Sequence, residues 1–116
     1  MQLKMDNRTD KVERRRYPRK KIQGLCQIDQ SKELHQIVEI SPGGLRISTA
    51  KKIESGRQVE MNVFLKNGYQ FETNANVVWI MERPSEEKVH YEIGFIFEDL
   101  SMWDTHQLKV LVGVEK

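Results

Sequence analysis

The chain of 116 residues has one cysteine, Cys26, and no apolar run long enough to span a membrane. A single cysteine excludes an intrachain disulfide and gives no thiolate cluster for a metal ion. The amino-terminal residues also lack the apolar segment of a secretory signal. These absences predict a cytoplasmic protein without membrane insertion, and the length predicts a single domain with one hydrophobic core.

Signs of catalysis are equally sparse. His35, His90 and His106 lie far apart in the sequence, without the close spacing of a metal site. His35 and His90 alternate with apolar strand positions, so we expect them to face solvent, whereas Cys26 alternates with the apolar set and is expected in the core. No glycine-rich loop precedes a helix in the arrangement that cradles phosphates. The sequence therefore predicts a protein that is not an enzyme and has neither a metal nor a cofactor.

Positive charge is concentrated at the amino terminus. Residues 1–21 hold nine basic and three acidic residues, a net charge of +6, whereas residues 22–116 have a net charge of −4. Within "ERRRYPRKKIQG" (residues 13–24) the charge is mostly arginine, whose planar guanidinium binds phosphates bidentately and stacks on flat rings. The segment indicates an anionic partner, although a solvated leader of the same composition would look alike.

From Ile22 onward the apolar residues recur with period two, as in β-strands. Asn67-Gly68 is a strong hairpin signal between two such segments. Because six antiparallel strands that close on themselves leave no exposed edge, we predict an all-β, six-stranded antiparallel β-barrel. The predicted strand segments are residues 22–28, 33–40, 45–49, 57–65, 69–83 and 88–99.

Strict alternation also assigns faces. In the second segment it puts Val38 and Ile40 on one face and Ile37 and Glu39 on the other. In the fifth segment it groups Trp79 with the residues that face the core.

The chain ends with a short predicted α-helix. Ser101 is a suitable N-cap, and Asp104 follows three residues later, as in an aspartate version of the capping box. Trp103, Leu108 and Leu111 recur at helical spacing, which predicts that they share one side of the helix.

The stretch "EISPGGLRI" combines groups that suit a flat polar ligand. Glu39 offers a carboxylate that can accept hydrogen bonds from N1–H and N2–H₂ of guanine, and Ser41 offers a hydroxyl. The backbone of Gly43 and Gly44 can approach a ligand closely. The alternative is an ordinary hairpin turn, in which the glycines serve only the backbone geometry.

Taken together, the arginine-rich segment, E-x-S-x-x-G at the end of the second strand, and the closing "VVW" and "YEIGFIFEDLS" segments resemble the PilZ domain family over residues 13–112. The family's two binding motifs are RxxxR, matched by Arg15 and Arg19, and [D/N]-x-S-x-x-G, matched at Ser41 and Gly44 with Glu39 in the first position. The resemblance implies a six-stranded β-barrel with a flanking helix and, in many members, binding of the bacterial second messenger cyclic di-GMP.

The resemblance also implies roles for individual residues. Two arginines would hold phosphates and stack on guanine, a third would add a guanidinium, the turn would line the guanine pocket, and the carboxylate would face the base. The implied ligand-binding set is Arg14, Arg15, Arg19, Glu39, Ser41, Gly43 and Gly44. Residues 1–12 would be a flexible arm before one domain at residues 13–116. Ordering of the arginine-rich arm on ligand binding would signal to an unidentified effector protein.

Two alternatives remain open at this point. Glu39 is longer by one methylene than the aspartate or asparagine of the motif, about 1.5 Å, and a misplaced polar contact costs about 1–3 kcal/mol. The chain could therefore be a PilZ-type protein-interaction module that binds no nucleotide. A nucleic-acid-binding barrel is the other alternative, and the expectation that most aromatic residues face inward counts against it.

Overall fold

In the computed structural model, residues 21–84 and 88–113 are described. They form six β-strands followed by one α-helix, as the apolar period and the capping pattern predict. The elements are β1 (Gly24–Ile28), β2 (Leu34–Ser41), β3 (Gly44–Thr49), β4 (Gln58–Leu65), β5 (Gln70–Arg83), β6 (His90–Phe97) and α1 (Met102–Val112).

The strands close into an antiparallel barrel in the order β1-β2-β3-β6-β5-β4. The predicted hairpin between β4 and β5 is present: Gly68 has a φ of 97°, and the Tyr69 N–H donates to Asn67 Oδ1 at 2.9 Å. Closure pairs β1 with β4, where Gly24 lies opposite Leu65. The barrel therefore has no open edge between its first and fourth strands, which confirms the predicted all-β fold.

The core fills the barrel with one face of every strand. Cys26 is fully buried within it, as the alternation predicts, and burial raises the pKa of its thiol to about 12, so the thiol is neutral at physiological pH. Other fully buried side chains are Ile40, Ile47, Met61, Val63, Ala75 and Ile93.

Two β-bulges break the alternation that the sequence analysis assumed. In β2, the pairing with β3 shifts between Ile37 and Glu39, so Ile37 is buried although alternation from Ile40 predicts it on the outer face. In β5, the pairing with β6 shifts between Val77 and Trp79. The predicted inward position of Trp79 is therefore wrong: a bulge adds one residue and reverses the faces beyond it.

His35 is a further correction, because it is buried rather than facing solvent. It lies before the bulge in β2, and its Nδ1 is 2.9 Å from Thr49 Oγ1 on β3. Thr49 Oγ1 already accepts the Lys51 N–H, which leaves the hydroxyl proton available for Nδ1 of a neutral imidazole. Burial lowers the pKa of His35, and nearby Glu33 opposes this shift while Lys51 adds to it.

Helix α1 begins at the predicted cap. Ser101 Oγ accepts the Asp104 N–H at 3.0 Å, and the helix ends at Gly113 with a φ of 87°. Leu108 is buried as predicted, but Trp103 is 67% exposed, so the predicted apolar side is wrong at its first position. Within residues 21–84 and 88–113, no helix is both long and apolar enough to cross a membrane.

Candidate functional site

The turn between β2 and β3 is held tightly against the barrel. Ser41 pairs with Gly44 in the register, and the Gly43 N–H donates to Ser41 Oγ at 3.2 Å. The Phe97 N–H donates to the Gly43 carbonyl at 2.9 Å, which ties the turn to β6. The hydroxyl of Ser41 thus fixes the conformation of the turn, and three of the predicted site residues are brought together here.

Gly44 is required by space rather than by backbone angle. A Cβ on Gly44 would lie 2.0 Å from the Phe95 carbonyl oxygen, far inside any real contact, and its φ is not in the left-handed region. From the sequence, either close approach of a ligand or the backbone geometry of a hairpin turn explains this glycine. The structure gives a third reason, the close approach of β6.

Glu39 lies on the outer face of β2, two residues before Ser41. Glu39 pairs with Arg46 on the neighbouring strand β3. Arg46 in turn pairs with Gly94 of β6, and Gly94 pairs with Trp79 of β5. We call these four residues the outer row. Both ends of the outer row follow a bulge, so the two irregularities place a carboxylate and an indole on the same outer surface.

Charge in this region is arranged in alternation across four strands. Arg46 contacts Glu39 Oε1 at 3.4 Å through Nη2 and Glu92 Oε1 at 2.9 Å through Nη1, and Arg83 contacts the same Glu92 oxygen at 3.3 Å. The Glu39, Glu92 and Arg46 side chains are only 15%, 19% and 24% exposed. We call Glu39, Arg46, Glu92 and Arg83 the charged cluster. Partial burial of Glu39, Arg46 and Glu92 reduces solvent screening of the attraction between them, whereas the Arg83 side chain is 47% exposed.

Arg46 and Trp79 were missed as site residues by the sequence analysis. Arg46 was detectable, because alternation between the apolar Leu45 and Ile47 places it on the outer face two residues after Gly44. Trp79 was not, since its direction depends on a bulge that no local pattern marks. The indole lies where a Cβ of Gly94 would be, with Cε2 and Nε1 at 2.3 Å from that position.

The predicted arginines Arg14, Arg15 and Arg19 lie outside the described residues. The described chain begins at Lys21 and joins the barrel where the Lys66 N–H donates to the Gln23 carbonyl. Strands β1 and β2 are antiparallel, with Leu25 opposite Gln36, so β2 continues past the start of β1 toward Ser41. The chain therefore enters at the same end of the barrel as the turn, which we call the Ser41 end.

No group of three or more histidine, cysteine, aspartate or glutamate side chains that could hold a metal ion occurs in the described part of the chain. The groups at this site are instead suited to binding a ligand. The site presents a carboxylate, two guanidinium groups and an indole, and it includes two glycines, Gly44 beside the Phe95 carbonyl and Gly94 beneath the indole of Trp79.

Comparisons with known proteins give one family. A family model described as "PilZ domain" matches residues 13–113. A search of curated protein sequences returned no match.

Solved structures share the fold at low sequence identity. The Bacillus subtilis inhibitor of motility (MotI/DgrA) superimposes with a TM-score of 0.75 at 24% identity, covering 87% of this chain and 50% of that one. The PilZ domain of YcgR from Escherichia coli, solved with c-di-GMP, gives 0.70 at 24% identity, covering 87% and 90%. The K. pneumonia MrkH–c-di-GMP complex gives 0.70 at 19% identity, covering 86% and 52%. This chain thus spans about half the length of MotI/DgrA and MrkH.

Proposed function

We propose that this chain, which belongs to the PilZ domain family, is a receptor that binds cyclic di-GMP on the outer face at the Ser41 end of its barrel. The observation that carries the proposal is the shared location of three features. The Ser41–Gly44 turn, the carboxylate of Glu39 and the point where the arginine-rich segment joins the barrel all lie at this end. The proposed receptor is cytoplasmic and is not an enzyme.

The geometry supports a division of roles. Glu39 would accept N–H bonds from the guanine edge, and the turn would line the pocket with Ser41 and the backbone of Gly43 and Gly44. Gly44 adds no side chain to the turn, which is tied closely to β6. Guanidinium groups from the amino-terminal segment would neutralise the phosphates and stack on the bases.

Chain length supports the reach of those arginines. Arg19 is five residues before Gly24, and extended chain covers at most about 3.3–3.6 Å per residue, roughly 17 Å in total. Gly24 lies beside Ile37, whose Cδ1 is 3.3 Å from the position of a Gly24 Cβ. Ser41 is four residues further along β2, about 13 Å at the rise of a strand. Arg19 can therefore reach the turn, and Arg14 and Arg15, further back in the chain, can reach past it.

The signal would pass to a protein partner. The proposed binding domain spans residues 13–116, with residues 1–12 as an arm in front of it. Ligand that is held both by the barrel and by the arginine-rich segment favours the state in which they are joined. A partner that recognises either the joined or the separate state then reads the concentration of cyclic di-GMP.

One observation favours a second candidate, a PilZ-type module that binds a protein and no nucleotide. Glu39 replaces the aspartate or asparagine of the motif, and its carboxylate is already paired with Arg46 at 3.4 Å. If that pairing kept the carboxylate from the base, the turn would serve only the structure of the barrel.

Isothermal titration calorimetry with cyclic di-GMP tests the proposal. We expect saturable binding by the wild type and a loss of at least tenfold in Arg15→Ala and in Arg19→Ala, since each removes a charge-assisted contact. Arg57→Ala is the matched control, because Arg57 pairs with Asp29 at the opposite end of the barrel. No heat up to high micromolar ligand would favour the interaction module, and binding undiminished in both arginine variants would place the ligand elsewhere.

A further inference from the structure

Arg46 occupies the centre of the charged cluster, and its direction is defined by two acidic partners. Glu39 lies directly across from it on β2, whereas Glu92 is two residues beyond its own partner Gly94 on β6. The stronger contact, at 2.9 Å, is with Glu92. The guanidinium therefore leans along the sheet, away from the Ser41–Gly44 turn.

This orientation of the Arg46 guanidinium restricts where the longer side chain of Glu39 can place its carboxylate. A glutamate has one more rotatable bond than an aspartate, so its carboxylate can swing over a wider arc. Arg46 Nη2 holds Glu39 Oε1 at 3.4 Å, and only 15% of the Glu39 side chain is exposed. The extra reach of the glutamate is thus directed toward Arg46 along the sheet surface.

Arg46 is itself fixed rather than free to follow a ligand. Its terminal nitrogens contact Glu39 and Glu92, and its Nε is buried with no hydrogen-bond partner within residues 21–84 and 88–113. Arg83 also contacts Glu92, at 3.3 Å, and this second contact helps to hold the Glu92 carboxylate in place. Replacing Arg46 would remove the cation that lies between Glu39 on β2 and Glu92 on β6, and a partly buried carboxylate is less favourable without its cation.

From this arrangement we infer that Arg46 is a positioning residue for guanine recognition, which sets the orientation of the Glu39 carboxylate so that a glutamate can act where the motif has an aspartate or asparagine. The inference rests on the proposed function. An oxygen of a carboxylate has two lone pairs, so Glu39 Oε1 can accept both from Arg46 and from a base. Guanine presents two adjacent donors, N1–H and N2–H₂, and both bond well only to a carboxylate held in one plane.

The test is a double-mutant cycle with two ligands, cyclic di-GMP and its analogue with hypoxanthine in place of guanine, which lacks the N2 amine. Arg46→Gln should weaken cyclic di-GMP binding about tenfold and the analogue by less, so that the preference for guanine falls. In a Glu39→Gln background the same Arg46 change should alter affinity by less than about twofold, because the carboxylate that Arg46 orients is no longer present. Arg57→Gln, which removes a guanidinium paired with Asp29 at the opposite end of the barrel, should leave the preference unchanged.

The possible failures are distinct. A wild type that gives no heat with cyclic di-GMP overturns the proposed function and this inference with it. Two results would overturn the inference alone. In the first, the wild type binds cyclic di-GMP and Arg46→Gln binds it equally well. In the second, the Arg46→Gln change costs the same affinity in the wild type as in the Glu39→Gln background. Arg46→Lys covers the case in which Arg46→Gln fails to fold: it keeps the charge but offers one point of contact, and we expect an intermediate loss of guanine preference.

Discussion

The indole ring of Trp79 on β5 lies against the bare backbone of Gly94 on β6, on the outer face of the barrel. A Cβ on Gly94 would come within 2.3 Å of Trp79 Cε2 and Nε1 and within 2.8 Å of Cζ2. Gly94 also pairs with Arg46 on its other side. The absence of one side chain therefore allows an aromatic ring to lie over the sheet beside the charged cluster.

We predict that Gly94→Ala displaces Trp79 and lowers the free energy of unfolding by about 1–3 kcal/mol, the usual cost of an overpacked position. Urea unfolding monitored by circular dichroism measures the loss. Tryptophan fluorescence in a Trp103→Phe background reports the displacement, because Trp79 is then the sole tryptophan.

The matched control is Gly94→Ala combined with Trp79→Val. If the ring is the cause, the alanine should cost much less once the ring is gone. An equal cost in both backgrounds would show that Gly94 is needed for another reason, such as the backbone of β6.

The barrel could be predicted because its information is local. Alternating apolar residues mark each strand, and Asn67-Gly68 marks the β4–β5 hairpin. Two strands, however, change face partway along their length. The bulges after Ile37 and Val77 lie in the pairing of β2 with β3 and of β5 with β6, so they depend on a strand register that the apolar pattern of one strand does not carry.

The same limit applies to the candidate site. Glu39, Ser41, Gly43 and Gly44 could be proposed as candidates because they are close in sequence and their chemistry suits a flat polar ligand. The contact of Arg46 with Glu92 joins residues 46 positions apart. No local pattern could reveal that contact, so the positioning role of Arg46 needed the strand register.

Gly44→Ala should destabilise the barrel even without any ligand. The added Cβ would lie 2.0 Å from a backbone carbonyl oxygen of Phe95, which cannot move without shifting β6. We expect a loss of about 2–3 kcal/mol in unfolding free energy, at the upper end of overpacking costs. Urea unfolding checks this value, with Ser48→Ala on the same face of β3 as a control that should change by less than about 0.5 kcal/mol. A stable Gly44→Ala protein that only fails to bind ligand would assign this glycine to the ligand instead.

The buried His35 should make stability depend on pH in a defined direction. Burial lowers its pKa below the value of 6.5 that applies when the chain is unfolded. Below that value the unfolded chain takes up a proton that the folded protein does not, so stability is present above about pH 6.5 and falls as the pH decreases, until the pH reaches the pKa of the folded state. His35→Gln keeps a polar partner for Thr49 and should flatten this part of the profile. Urea unfolding at a series of pH values between about 7.5 and 5.5 tests it, and parallel profiles for the two proteins would contradict it.

Tyr69 joins the β4–β5 hairpin to the first turn of α1 by donating a hydrogen bond from its hydroxyl to Asp104 Oδ1. Burial, together with this bond and the negative charge of Asp104, raises the pKa of Tyr69 to about 12. Because the folded state holds the proton more tightly, the stabilisation is complete below the unfolded pKa of about 10 and is lost as the pH rises toward 12. Tyr69→Phe should therefore lower the free energy of unfolding at neutral pH by about 1–3 kcal/mol, since a hydrogen bond to a charged group is removed and Asp104 loses a partner.

Two measurements check the role of Tyr69. A titration of phenolate absorbance should show one tyrosine ionising near pH 12 in the wild type, and this transition should be missing in Tyr69→Phe. Tyr91→Phe is the matched control, because Tyr91 is also half-buried against the core but belongs to β6, away from the hairpin. If the two variants lose the same stability, the cost comes from repacking a ring. A larger loss for Tyr69→Phe that vanishes in an Asp104→Asn background would assign it to the charged hydrogen bond that fastens α1 to the barrel.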